Sequence, residues 1–153
     1  MKFIKFSKKG QTLVEITLAI GVSVIIITGV LSLTTNFLRS SQEFLRRSEA
    51  VKFANAGIEA SVYYKNTQDF SSITSGNYQI NSTGDGLTGS SSEWVAITSP
   101  TTNLTYYRKI YLAVSGNDLD VTVQVEWPNN PSTSPTNNKN VTLKRTLTNW
   151  KGN

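Results

Sequence analysis

A single carboxylate, Glu15, stands at the front edge of a stretch that is otherwise without charge. From Ile16 to Leu38 no residue is charged, and Arg39 is the next that is. These 23 residues would extend about 34 Å as a helix at roughly 1.5 Å per residue, enough to cross the hydrocarbon of a bilayer. A charged side chain is disfavoured by up to roughly 3 kcal/mol at the centre of such a helix, so an acid at its edge needs a reason and a cationic partner. The chemistry it points to is ion pairing rather than bond breaking. A basic leader with Lys8 and Lys9, the small residue Gly10, and then an apolar helix with an acid in its first turn describe a processed subunit that assembles with others.

The rest of the chain offers little to catalysis. It has no histidine and no cysteine, which removes the usual triads, thiol nucleophiles, disulfides and most zinc sites. Asp118 and Asp120 could share a cation, but two carboxylates beside a turn are more often solubilising residues. The segment Asp85-Gly86-Leu87-Thr88-Gly89 lacks the lysine of a phosphate loop and the oxygen-ligand series of a calcium loop, and reads as a flexible loop. Lys144 with Arg145, and Arg46 with Arg47, read as solvated faces. The formal charge of +5 comes largely from Lys2, Lys5, Lys8 and Lys9. Without them eleven basic residues face ten acidic ones, a balance that argues little for nucleic acid. Three N-x-S/T triplets, at Asn81, Asn103 and Asn140, are taken as chance matches. No enzyme activity and no cofactor is expected.

The run Lys8-Lys9-Gly10-Gln11-Thr12-Leu13-Val14-Glu15 resembles the class III signal of type IV pilins and of the pseudopilins of type II secretion and competence systems. The resemblance implies cleavage by a prepilin peptidase between Gly10 and Gln11 on the cytoplasmic side, with N-methylation of Gln11. Thr12, Leu13 and Glu15 fall where the family has threonine, leucine and its glutamate. It implies that the Glu15 carboxylate pairs with the N-terminal amine, on Gln11, of a neighbouring subunit in a filament. Two departures stand out. Gln11 replaces the more usual phenylalanine or methionine, and the family's proline within the membrane segment is missing, since the first proline is Pro100. Any loosening of the helix falls to Gly21 and Gly29. A looser likeness to minor pilins and pseudopilins covers Ala54-Asn55-Ala56-Gly57-Ile58-Glu59, the strand from Asp118 to Trp127, and the ending from Val141 to Trp150.

Two simpler readings compete. A secretory signal has an apolar core of roughly 7–15 residues and an A-x-A-like cut site, whereas this run is longer, contains Glu15 and shows no such site. An uncleaved signal anchor accounts for Lys8 and Lys9 through the positive-inside rule, but leaves Gly10 and Glu15 unexplained.

These residues need elements to position them. No proline or glycine interrupts the chain between Leu38 and Gly57, and Phe37, Phe44, Val51 and Ile58 recur every seven residues. Leu38 and Leu45 flank that side, and Ala54 and Val62 extend it. One helix over residues 12 to about 65 is therefore expected, apolar all round in its first half and amphipathic in its second. The stripe reads as a core stripe against a sheet rather than a coiled coil, because Arg46, Arg47 and Lys52 form no regular flanking pattern. Gly57 costs about 1 kcal/mol relative to alanine in a helix, so close packing against a sheet is its expected reason. Residues 66–92 read as polar loop with a short strand at Tyr78-Gln79-Ile80. Residues 94–98 form a strand ending before Pro100. Another strand starts near Tyr106 and places Ile110, Leu112 and Val114 on one face. A reversal at residues 115–118 follows. Val121, Val123, Val125 and Trp127 alternate with polar residues, the signature of a half-buried strand. Residues 128–140 read as a long polar connection. Val141, Leu143 and Leu147 share a face of the last strand, interrupted by Arg145.

The expected fold is α+β, a long N-terminal helix packed on a C-terminal antiparallel sheet in pilin-like fashion. The expected division is a leader at residues 1–10, a membrane and assembly helix at 11–38, and an amphipathic helix plus extracytoplasmic sheet domain at 39–153. The expected function is a structural subunit, a minor pilin or pseudopilin. Its partners would be other such subunits, prepilin peptidase, an assembly platform protein and its ATPase, and membrane lipid before assembly. It would cross the cytoplasmic membrane once, N-terminus inside, before joining a filament at the cell surface. The alternative is a membrane-anchored ligand-binding tip module for DNA uptake or adhesion.

Overall fold

The computed structural model describes residues 8–84, 86–90, 92–128 and 138–149, with residues 8–11 and 138 described in backbone only. The leader residues 1–7 and Trp150 lie outside these. The chain divides into two compact units, Met1–Phe44 and Leu45–Asn153. Helix α1 (Lys8–Thr67) contributes to both.

In the first unit the apolar run is helical throughout. β-Branched residues abound there, and in water their stiff χ1 would lower helix propensity. Thr17, Ser23, Thr28 and Thr34 donate their hydroxyls to the carbonyls four residues earlier, at 2.7–2.9 Å, and Thr35 donates to Ser32. Their polarity is thus spent on the helix's own backbone, an arrangement suited to surroundings without water. Among the described residues one helix is long and apolar enough to cross a membrane, and none of its most apolar stretch is buried within the chain.

In the second unit, residues 45–67 of α1 pack on a six-stranded antiparallel sheet. The strands are β1 (Gly76–Ile80), β2 (Leu87–Gly89), β3 (Val95–Thr98), β4 (Thr105–Ser115), β5 (Asp118–Pro128) and β6 (Asn138–Thr148). Their order is β2-β1-β4-β5-β6, with β3 also paired to β4. The α+β expectation holds.

Strands β4 and β5 form a hairpin in which Ser115 pairs with Asp118. The first of its two loop residues, Gly116, has φ +60°. Glycine at that position with positive φ marks the type II′ turn, whose twist matches that of the strands. Alternation then sorts the side chains. Tyr106, Ile110 and Leu112 of β4, the apolar set from Leu119 to Trp127 of β5, and Leu147 of β6 are buried on the face toward the helix.

The helix face that meets them matches the expected stripe from Ala54 onward, where Ala54 and Ile58 are buried and Val62 packs on the core, and departs from it before that. Phe44 is 72 % exposed and Leu45 55 % exposed, while Ala50, Ala54 and Ser61 are fully buried. The seven-residue phenylalanine spacing marks large side chains, whereas close approach to the sheet selects small ones. Gly57 shows the limit. A Cβ there would lie 2.9 Å from Val123 Cγ1 and 3.4 Å from Ile110 Cδ1. The expected reason for Gly57 is therefore met.

Three further boundaries shift. Residues 87–89, read as part of a loop, form β2 against β1, and Leu87 is buried. The last strand begins at Asn138, because residues 138–140 continue the ladder against Pro128, Trp127 and Glu126. Pro128 correspondingly ends β5 rather than opening the connection. Three-residue strands and asparagine-rich strand ends carry too little alternation to be seen in sequence.

Candidate functional site

Lys8, Lys9, Gly10 and Gln11 are helical in backbone, as the start of α1, and their side chains lie outside the described residues. Glu15 follows one turn later on an exposed helix surface. Its carboxylate meets no hydrogen-bond or ion-pair partner among the described residues. A helix interior has no use for a carboxylate, and the neighbouring hydroxyl of Thr17 is already turned onto the Leu13 carbonyl, 2.9 Å away. The acid is therefore presented outward, together with the exposed apolar side chains of Leu13, Val14, Ile16 and Leu18.

A second carboxylate, in the other unit, is treated in the opposite way. Glu49 lies on the first turns of the packed part of α1, facing the loop that joins β3 to β4. Its Oε1 accepts from Ser99 Oγ at 2.9 Å; its Oε2 accepts from Thr102 Oγ1 and Tyr106 OH, each at 2.8 Å. Ser99 Oγ also accepts from the backbone N–H groups of Thr101 and Thr102 at 3.2 Å. The loop closes on itself through Asn103 N–H to the Ser99 carbonyl, with Asn103 at φ +52°. One carboxylate thus holds a strained, exposed loop to the helix.

Partial burial pushes the Glu49 carboxyl up, but the Thr102, Tyr106 and Ser99 hydroxyls and the Lys52 charge together bring it below the usual glutamate value. Burial, and then the neighbouring Glu49, push the Tyr106 phenol up to about 12. Tyr106 in turn stacks at a tilt on Phe53 and Trp127, with ring centroids 5.2 and 6.2 Å apart. A tyrosine held protonated beside an ionised acid is a hydrogen-bond donor, not a nucleophile.

Arg108 is the third polar group on the inner face, only 8 % exposed. Its Nη1 lies 3.4 Å from the Phe53 carbonyl, and desolvation lowers its pKa. Sequence reading missed Glu49, Ser99, Thr102, Tyr106 and Arg108 as a group. The alternation through Tyr106, Arg108 and Ile110 was the available signal for the two strand residues. Nothing local to Glu49 announces partners some fifty residues away.

The remaining candidates separate. Asp120 accepts from Thr146 Oγ1 at 2.6 Å, and among the described residues no group of three or more histidine, cysteine, aspartate or glutamate side chains is gathered for a metal. Lys144 and Arg145 are neighbours on the edge strand β6 and alternate across the sheet, yet both line one shallow hollow together with Asp120 and Thr122. Lys144 pairs in register with Thr122, and Arg145 with Val121.

A long N-terminal helix whose C-terminal part packs on an antiparallel sheet is a pilin-like architecture. Comparison with protein-family models, curated proteins and solved structures gave no match.

Proposed function

We propose that the chain is a minor pilin or pseudopilin, a structural subunit of a type IV pilus, type II secretion or competence-type filament. Prepilin peptidase would cut between Gly10 and Gln11. The subunit would wait in the cytoplasmic membrane with its N-terminus inside and the sheet unit outside, and then enter the fibre through residues 11–38. The observation that supports this most is Glu15, an outward-facing acid without a partner among the described residues, beside an apolar helix that the chain itself leaves uncovered. Both lacks are met at once by a second copy. Its Gln11 amine, freed by the cut, gives Glu15 a cation, and its helix covers the apolar surface. Opposite charges attract far more strongly at low dielectric than in water. Removal of the leader also removes four lysines, which would otherwise hold the N-terminus at the cytoplasmic face.

The test has two parts. Intact mass of the cellular protein is expected to lack residues 1–10, and Gly10→Val to restore the full-length mass. Glu15→Val is expected to remain in the membrane fraction while its share in sheared filaments falls at least tenfold. Full-length mass in cells with active prepilin peptidase, or normal incorporation of Glu15→Val, overturns the reading.

A further inference from the structure

The sheet has a second face, turned away from α1, which none of the preceding functions uses. Strand alternation brings Tyr107, Lys109 and Tyr111 of β4 to it, opposite Glu126, Gln124 and Thr122 of β5. Tyr111 is 41 % exposed and stands between two shallow depressions. One, of about 250 Å³, is lined by Lys109, Tyr111, Thr122 and Gln124. The other, of about 410 Å³, is lined by Tyr111 and Thr122 again, with Asp120, Lys144 and Thr146 among its walls. One aromatic ring and one threonine are thus common to two adjoining hollows.

The charges of this face are largely answered within it. Lys109 forms an ion pair with Glu93 and lies 5.9 Å from the centroid of the Trp94 ring. Glu126 accepts from Gln124 Nε2 at 2.9 Å, and Asp120 accepts from Thr146. Lys144 and Arg145 both line the larger hollow and form no ion pair among the described residues, and Asp118 and Asp120, on the same side of β5, match them in number. The face therefore has no positive field to gather phosphates. What it offers is an exposed ring with an apolar π-surface and, around it, donors and acceptors of both kinds: amide, hydroxyl, carboxylate and ammonium. A ligand that fits has an apolar side to lie on the ring and neutral hydroxyls around its rim. That is a sugar ring. Two hollows sharing one tyrosine fit two consecutive rings of a chain.

We propose that this outer face binds an uncharged oligosaccharide, with Tyr111 as the ring on which a sugar stacks and Gln124, Thr122 and Asp120 as hydroxyl partners. The proposal is independent of how the first unit assembles.

The test uses the full-length chain in lipid nanodiscs, free of sugar-based detergent. It is titrated against neutral oligomers of glucose, mannose, galactose and N-acetylglucosamine, with oligogalacturonate and oligothymidylate as charged counterparts. Saturable binding of at least one neutral oligomer is expected. Tyr111→Ala should weaken it at least tenfold, and Tyr111→Phe should retain it. Tyr63→Ala, on the helix, serves as the control and should change nothing. Circular dichroism melting of each variant separates lost binding from lost fold. Three outcomes overturn the proposal: no neutral oligomer binding, equal binding by Tyr111→Ala, or tighter binding of either charged oligomer with loss in Lys144→Gln. Self-association of the wild type that Tyr111→Ala abolishes would assign the face to a second copy and overturn it as well.

Discussion

The two carboxylates of α1 live in opposite circumstances. Glu15 faces outward and meets no partner among the described residues; Glu49 is held by three hydroxyls. The same contrast runs through the side chains around them. In the first unit large apolar residues are exposed along the whole apolar run; in the second, the helix turns small residues inward and buries them. A helix that finishes its packing within its own chain approaches closely and selects alanine, glycine and serine at the contact. One that is to be covered by something else keeps its bulk outside. The difference lies between packing that is complete and packing that is on offer.

This contrast breaks first at Gly57. Any side chain there meets the stiff, β-branched Val123, so Gly57→Val is expected to destabilise the sheet unit by about 3 kcal/mol, the upper part of the usual overpacking range. Gly57→Ala is expected to be destabilising too, by about 1 kcal/mol, despite alanine's better helix propensity. Denaturant unfolding followed by tryptophan fluorescence measures both. A stabilised Gly57→Ala would mean that helix and sheet stand further apart.

Glu49 comes next. Glu49→Ala removes the acceptor of three hydroxyls at once, and stranded polar groups cost about 1–3 kcal/mol. Its pH dependence follows from the lowered pKa of the folded carboxyl. A group whose folded pKa lies below its unfolded one gives stability above the unfolded value, and that contribution disappears as pH falls through the folded one. The wild-type melting temperature should therefore decline from about pH 5 downward more steeply than that of Glu49→Gln. Parallel curves would show that the loop does not depend on the charge. The smallest effect is expected at Phe44→Ser, which removes an exposed ring. Stability of the sheet unit should stay within about 0.5 kcal/mol of wild type, against roughly 3–5 kcal/mol for truncating a buried phenylalanine.

Much of the fold was legible before the structure. The uncharged run from Ile16 to Leu38, the alternation from Val121 to Trp127 and the glycine of the β4–β5 turn each carry a local signal, because period and turn geometry act over a few residues. Gly57 was legible as an anomaly, a costly residue awaiting a reason. The buried helix face was legible only in part: Ala54, Ile58 and Val62 of the expected stripe meet the core, whereas Phe44 and Leu45 do not, because the spacing of phenylalanines reports size and says nothing of where the sheet begins. β2 was not, since three residues are too few to alternate. The Glu49 cluster escaped for another reason. Its members lie in a helix, a loop and a strand, and only the folded chain brings them together. At the N-terminus the position was reversed: Glu15 was legible from sequence because its oddity is local, and no partner for it lies among the described residues.

The hydroxyls of Thr17, Ser23, Thr28 and Thr34 give a last consequence. Each proton is committed to a carbonyl one turn back, so exchange of one apolar environment for another leaves all of these bonds intact. In the proposed function the rod would leave a fluid of acyl chains for a bundle of like rods without rewiring its own polarity. The balance between the two surroundings would then be decided by side-chain fit and by what becomes of a single negative charge.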